Sequence, residues 1–70
     1  MNRQYVQSTD LRSVGYNAVS AVLEIEFNSG GVYQYSNVPV SVYQALINAP
    51  SHGKYFHANI KDRYHTTRIG

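Results

Sequence analysis

The chain has 70 residues, 43% of them hydrophobic and 14% charged, with a formal charge of +2 and no cysteine. That length supports one domain with a small core, because so short a chain buries only about 60% of the surface it exposes when unfolded. The missing cysteines exclude a disulfide framework and a thiolate zinc site, the hydrophobic share argues against disorder, and no apolar run approaches the roughly 20 residues that span a bilayer. Met1–Tyr5 has no apolar stretch of the secretory type, so a cytoplasmic location is expected. With no disulfide or zinc to brace the core, self-association into a homo-oligomer stays open as a further source of stability.

Taken in chain order, Gln4–Ser8 is a candidate extended segment and Ser13–Tyr16 a strand. Leu23, Ile25 and Phe27 alternate with Val22, Glu24 and Glu26, the period of two expected of a half-buried strand over 21–27. Asn28-Ser29-Gly30-Gly31 supplies turn chemistry, and Val32–Ser36 resumes as the second arm of a hairpin. Pro39 disfavours helix at Val38, and Ser41 is the expected N-cap of a first helix in which Val42, Ala45, Leu46 and Ala49 share one side. Pro50 stops that helix, and Ser51 caps a second one running to about Asp62, with Gly53, Phe56, Ile60 and Tyr64 on one side. The predicted class is α+β. A three-stranded antiparallel meander, with the N-terminal segment as a candidate extra strand, is covered on one face by two C-terminal helices. All of it lies in a single domain, residues 1–70.

Tyr33 and Tyr35 share a strand face, and exposed aromatic pairs of this kind stack on single-stranded bases. Register decides whether that face is open. A three-residue loop at Asn28–Gly30 sets Ile25 opposite Tyr33 and Leu23 opposite Tyr35, which sends both rings to the aliphatic, helix-covered face. A two-residue loop at Ser29-Gly30 sets Glu26 and Glu24 opposite them instead, since a one-residue slip exchanges the faces. Burial favours the first register, because the second places Gln34 and Ser36 against the core.

Charge is unevenly spread. Residues 51–70 hold Lys54, Lys61, Arg63 and Arg68 against Asp62 alone, a net +3, whereas residues 1–50 are net −1, with Arg3 and Arg12 against Asp10, Glu24 and Glu26. Lys54, His57, Lys61 and His65 project away from the Phe56/Ile60 side of the second helix, with Arg63 and Arg68 close in sequence. Ser51, His52 and Gly53 open the same helix, where free backbone N–H groups can receive a phosphate. Tyr55 and Tyr64 are further stacking candidates beside this stripe. The competing reading is an ordinary solvated face with Ser51 as its cap.

Little points to chemistry. His52 and His57 are five residues apart and do not align as an i, i+4 pair, and no carboxylate lies at ligand spacing beside them, so no metal or other cofactor is expected. No nucleophile has a positioned base. Glu24 and Glu26 read as the wet side of an amphipathic strand, and Gly30-Gly31 is a turn without the pattern of a phosphate loop. The chain is expected not to be an enzyme.

The residues Val14-Gly-Tyr16, Leu23-Glu-Ile-Glu-Phe27, Gly31-Val-Tyr-Gln-Tyr35, Val38-Pro39, Val42-Tyr43, Ala49-Pro-Ser-His-Gly-Lys-Tyr-Phe56, Ile60 and Arg68-Ile69 together resemble the KTSC domain, a family named for the C-terminus of some lysyl-tRNA synthetases and also found as free-standing bacterial and phage proteins. His57 stands where the family usually has asparagine, and Lys61 where it usually has arginine. Lysine keeps the charge but loses the planar fork that grips phosphate bidentately. The resemblance implies no reaction or cofactor and suggests RNA binding. Two functional expectations follow. One is a nucleic-acid-binding module, for RNA, holding phosphate through the second helix. The other is a homo-oligomeric accessory protein that captures a small phosphorylated ligand such as a nucleotide.

Overall fold

Alternating hydrophobicity in the first half of the chain becomes a sheet, described with the rest of all 70 residues by a computed structural model. Five strands, β1 (Arg3–Tyr5), β2 (Leu11–Asn17), β3 (Val22–Phe27), β4 (Val32–Tyr35) and β5 (Thr66–Arg68), lie side by side in chain order, every neighbouring pair antiparallel. Two helices, α1 (Val40–Asn48) and α2 (His52–Asn59), fall between β4 and β5. The class is α+β, as the residue pattern predicts, but the meander has five strands where three and a candidate fourth were expected. Arg3–Tyr5, not Gln4–Ser8, forms the N-terminal strand, and β5 is an addition to the expected set.

The hairpin adopts the three-residue-loop register. Leu23 pairs with Tyr35 and Ile25 with Tyr33, and the Phe27 amide donates to the Gly31 carbonyl at 2.9 Å. Gly30, at φ +108°, takes the turn conformation that other residues adopt with strain. Leu11, Val14, Leu23, Ile25 and Tyr35 therefore face the helices and form one buried cluster with Val38, Leu46, Phe56 and Ile60. Each fully buried aliphatic side chain in it contributes about 1.5–3 kcal/mol. Tyr16 stacks on Tyr43 with ring centroids 4.9 Å apart, and its hydroxyl donates to the Val38 carbonyl at 2.6 Å, which pins the entry of α1 to β2.

Each helix differs from expectation at one end. Pro39, not Ser41, occupies the N-cap of α1. Its carbonyl accepts from the Val42 and Tyr43 amides, and Ser41 lies inside the helix. Ser51 does cap α2, its hydroxyl accepting from the Lys54 amide at 3.2 Å. That helix ends at Asn59 rather than near Asp62, because the Ile60 and Lys61 amides both turn onto the Phe56 carbonyl and Asp62 adopts φ +62°.

The opposite face of the sheet carries no helix, and its polar groups pair with one another. Glu24 accepts from Arg3 Nη1 at 2.8 Å and from Gln34 Nε2 at 2.9 Å. Glu26 accepts from the Ser13 hydroxyl at 2.9 Å and lies 3.8 Å from Arg12 Nε. Glu24 is only 8% exposed, so it is not the wet position its alternation suggests; Arg3 and Gln34 lie across it.

Candidate functional site

Helix α2 stops short of the β4–β5 rim, and the turn that follows it leaves a cleft on the helix-covered side of the sheet. Its volume is about 380 Å³, and Phe27, Tyr33, Tyr35 and Phe56 supply its aromatic lining. His57, Lys61 and Asp62 line it from α2 and the following turn, Thr66 from β5, and Ser29 from the β3–β4 loop. A second depression of about 290 Å³, reaching Thr9, Asp10 and Asn28, shares Phe27, Ser29 and His57 with the first.

The aromatic lining follows from the hairpin register, which aims Tyr33 and Tyr35 to the same side. Tyr35 is 4% exposed and meets Phe56 edge-on at 5.7 Å. Burial pushes its phenol up to about 12, and the neighbouring Tyr33 and Asp62 add to the effect. Tyr33 is only partly buried and packs edge-on against Phe27 at 5.7 Å. Its ring folds back over Gly31, where a Cβ would sit 2.7 Å from Tyr33 Cε1. Because β5 pairs Arg68 with Tyr33, the Arg68 guanidinium carbon lies 5.7 Å from the Tyr33 ring centre, within cation–π range.

The structure divides the expected basic stripe. His57 and Lys61 line the aromatic cleft; Arg68 does not, but from β5 it lies over the Tyr33 ring, with its Nε donating to the Gly70 carbonyl at 2.8 Å. Lys54 and Tyr55 instead border a separate shallow depression with Ala49, Pro50 and Ser51. Arg63 is exposed in the turn after α2, and Tyr64 packs against the core. Ser51 is engaged as a cap, and Gly53 is buried against Asp10, whose Oδ2 would lie 2.9 Å from a Cβ at residue 53. A carboxylate thus borders the first turn of α2, where a phosphate was expected. The same carboxylate is 3.5 Å from His57 Nε2. His52 is structural, with Nδ1 2.8 Å from the Leu46 carbonyl, so that nitrogen carries the proton that is donated. No three His, Cys, Asp or Glu side chains converge as a metal site would require.

Thr66 reaches the cleft, and Arg68 the Tyr33 ring, only because β5 exists. Thr66-Thr67-Arg68-Ile69, with its β-branched residues, was the signal that could have indicated that strand.

Comparison with known proteins adds relatives. The family model described as the KTSC domain matches residues 7–64. An uncharacterised protein of Stutzerimonas stutzeri is 43% identical over 65 residues, covering 93% of this chain and 92% of that one. A lysine–tRNA ligase of Trichormus variabilis is 43% identical over 54 residues, which make up 77% of this chain but 10% of the ligase. The crystal structure of a KTSC domain protein from Yersinia pestis superimposes with a TM-score of 0.96 at 38% identity, covering 99% of this chain and 97% of the other.

Proposed function

This chain belongs to the KTSC domain family, and we propose that it is a non-catalytic module that binds single-stranded RNA at the cleft between α2 and β4–β5. Lys61 and Arg68 hold phosphate there, and Tyr33 offers a ring for base stacking. The observation that carries this reading is an aromatic cleft lined by Lys61, with a second cation, Arg68 from β5, lying over Tyr33, one of its rings. Single-stranded nucleic acid is bound by that combination, with charge tracking the backbone and rings receiving the bases. The relatives named as lysine–tRNA ligases carry the domain in proteins named for a tRNA, which agrees with an RNA ligand.

The test is a fluorescence-anisotropy titration of labelled single-stranded RNA at about 50 and about 200 mM salt. Two to three phosphate contacts, at about −0.7 each in the logarithmic slope, weaken binding about tenfold across that range. Affinity that stays the same at both salts refutes phosphate-led binding.

A second reading rests on the size of the cleft, whose volume of about 380 Å³ falls in the range of roughly 300–1,000 Å³ typical of small-molecule sites. On that reading the protein is a homo-oligomer that captures a nucleotide. Native mass spectrometry showing only monomer, with and without nucleotide, removes the inter-subunit version of it.

A further inference from the structure

The chain has four carboxylate side chains, and three have partners. Glu24 is held by Arg3 and Gln34, Glu26 by Ser13 and Arg12, and Asp10 lies beside His57. Asp62 alone has no ion pair or hydrogen bond from another side chain, and it lines the aromatic cleft. Its backbone sits in the left-handed region at φ +62°, which aspartate and asparagine tolerate better than most residues. The turn therefore holds it between Lys61 and Arg63, and its charge is near enough to act on the Tyr35 phenol.

A carboxylate in a phosphate-binding cleft repels the backbone it faces, so its use there is as an acceptor for donors on a base. The Watson–Crick edge of guanine presents two adjacent donors, N1–H and the N2 amino group, spaced to meet the two oxygens of one carboxylate. Adenine and cytosine each present one amino donor beside a ring acceptor. Uracil presents one N–H flanked by carbonyls that a carboxylate repels. Guanine alone makes the two-point, charge-assisted contact.

We infer that the cleft selects guanine, in RNA or as a free nucleotide, by a paired hydrogen bond from the base to the Asp62 carboxylate while the ring stacks on Tyr33. This rests on the binding reading above and adds a base preference to it. Lys61 and Arg68 keep the phosphate role, and Asp62 supplies the discrimination.

The test measures anisotropy with short oligouridines carrying a single central G, A or C, or none, against the protein and its Asp62→Asn variant. Asparagine suits the left-handed backbone, so the turn is kept, but its amide has lost one of the two acceptors. The wild type is expected to prefer the G oligonucleotide about tenfold or more, the range a bidentate contact gives. Asp62→Asn is expected to weaken G binding while strengthening binding of the other three, because a negative charge has left the cleft. Equal wild-type binding of all four, with salt dependence intact, overturns the inference and leaves the RNA reading standing. A variant that strengthens all four alike overturns it too, because Asp62 then only repels phosphate. No binding of any oligonucleotide at low salt sinks both. Guanosine and adenosine monophosphates, titrated by heteronuclear NMR, distinguish the source. Guanosine monophosphate binding as tightly as the G oligonucleotide supports a free nucleotide, much weaker but still guanine-selective binding supports RNA, and no guanine preference counts against the inference.

Discussion

Arg3 Nη1 lies 2.8 Å from Glu24 Oε2 on the sheet face that carries no helix, and the other oxygen of that carboxylate accepts from Gln34. The pair joins the first strand to the third across β2, where Gly15 is buried because the N-terminal chain crosses over it; a Cβ there would sit 2.8 Å from the Asn2 carbonyl. Arg3→Ala removes the cation that lies across Glu24 and leaves Gln34 as the side-chain donor to that carboxylate. The expected loss is about 1 kcal/mol, the net worth of one partly exposed hydrogen-bonded ion pair whose carboxylate water can reach once the arginine is gone. In a domain of this size each kcal/mol moves Tm by roughly 4–8 °C. Thermal denaturation followed by circular dichroism reads it, and adding Glu24→Gln should restore much of the loss. An unchanged Tm in Arg3→Ala would show that the pair holds nothing.

Tyr35 gives a pH prediction. Its phenol ionises near 12 when folded and at 10.0 in its ordinary state. Above pH 10 the unfolded chain therefore releases that proton while the folded one keeps it, so stability declines as pH rises through this interval. The contribution is fully present below pH 10 and is lost as pH rises through about 12, a change on the order of 3 kcal/mol at ~1.4 kcal/mol per unit. Tyr35→Phe keeps the ring against Phe56 and removes the ionisation. Denaturant midpoints measured from neutral to strongly alkaline pH should fall less in the variant than in the wild type, and parallel declines would count against the assignment.

Ala21 closes the β2–β3 turn at φ +56°, where a side chain costs roughly 1–2 kcal/mol. Its carbonyl accepts from the Val38 amide at 2.9 Å, which fixes the strained conformation in place. Ala21→Gly should raise stability by about 0.5–1 kcal/mol, the relief being partly offset by the greater freedom of glycine in the unfolded chain. Urea denaturation measures it, and a lower midpoint would contradict it.

The division of the basic residues yields a binding prediction. Lys61→Ala and Arg68→Ala should each weaken RNA binding and reduce the logarithmic salt slope by about 0.7, the share of one phosphate on a single strand. Lys54→Ala and Arg63→Ala should change affinity less, since neither side chain lines the cleft or lies over one of its rings. If all four variants have equal effects, the cations act as a diffuse field and the cleft is not the site.

Local pattern and turn chemistry made the centre of the fold legible. The Leu23-Ile25-Phe27 alternation and the Asn28–Gly30 loop were enough to choose the hairpin register, and hence the side on which Tyr33 and Tyr35 lie. The outer strands were harder. Thr66, Thr67 and Arg68 are all exposed, so β5 has no buried side chain to reveal it; its one cue in the sequence is β-branching at Thr66, Thr67 and Ile69, and backbone pairing with β4 fixes it. Ser41 misled because a hydroxyl is a good cap, whereas the chain leaving Pro39 already has extended geometry and begins the helix one residue later.

The same cause limited the site. A stripe read along one helix groups Lys54 with Lys61, but the turn after Asn59 sends Lys61 to the aromatic side and leaves Lys54 with Pro50. Arg68 is only a neighbour in sequence on that reading, and β5 carries it to Tyr33. Alternation gives the face of Glu24 and says nothing of Arg3 lying across it.

Both rims of the sheet consist of a strand only three residues long, and each carries an arginine, Arg3 on one and Arg68 on the other. An incoming strand would find little backbone to zip onto and a long cationic side chain beside it, features that discourage sheets from extending edge to edge. A domain with blunted borders can be spliced into a much larger enzyme, or made at high concentration by itself, without its ladder recruiting foreign chains.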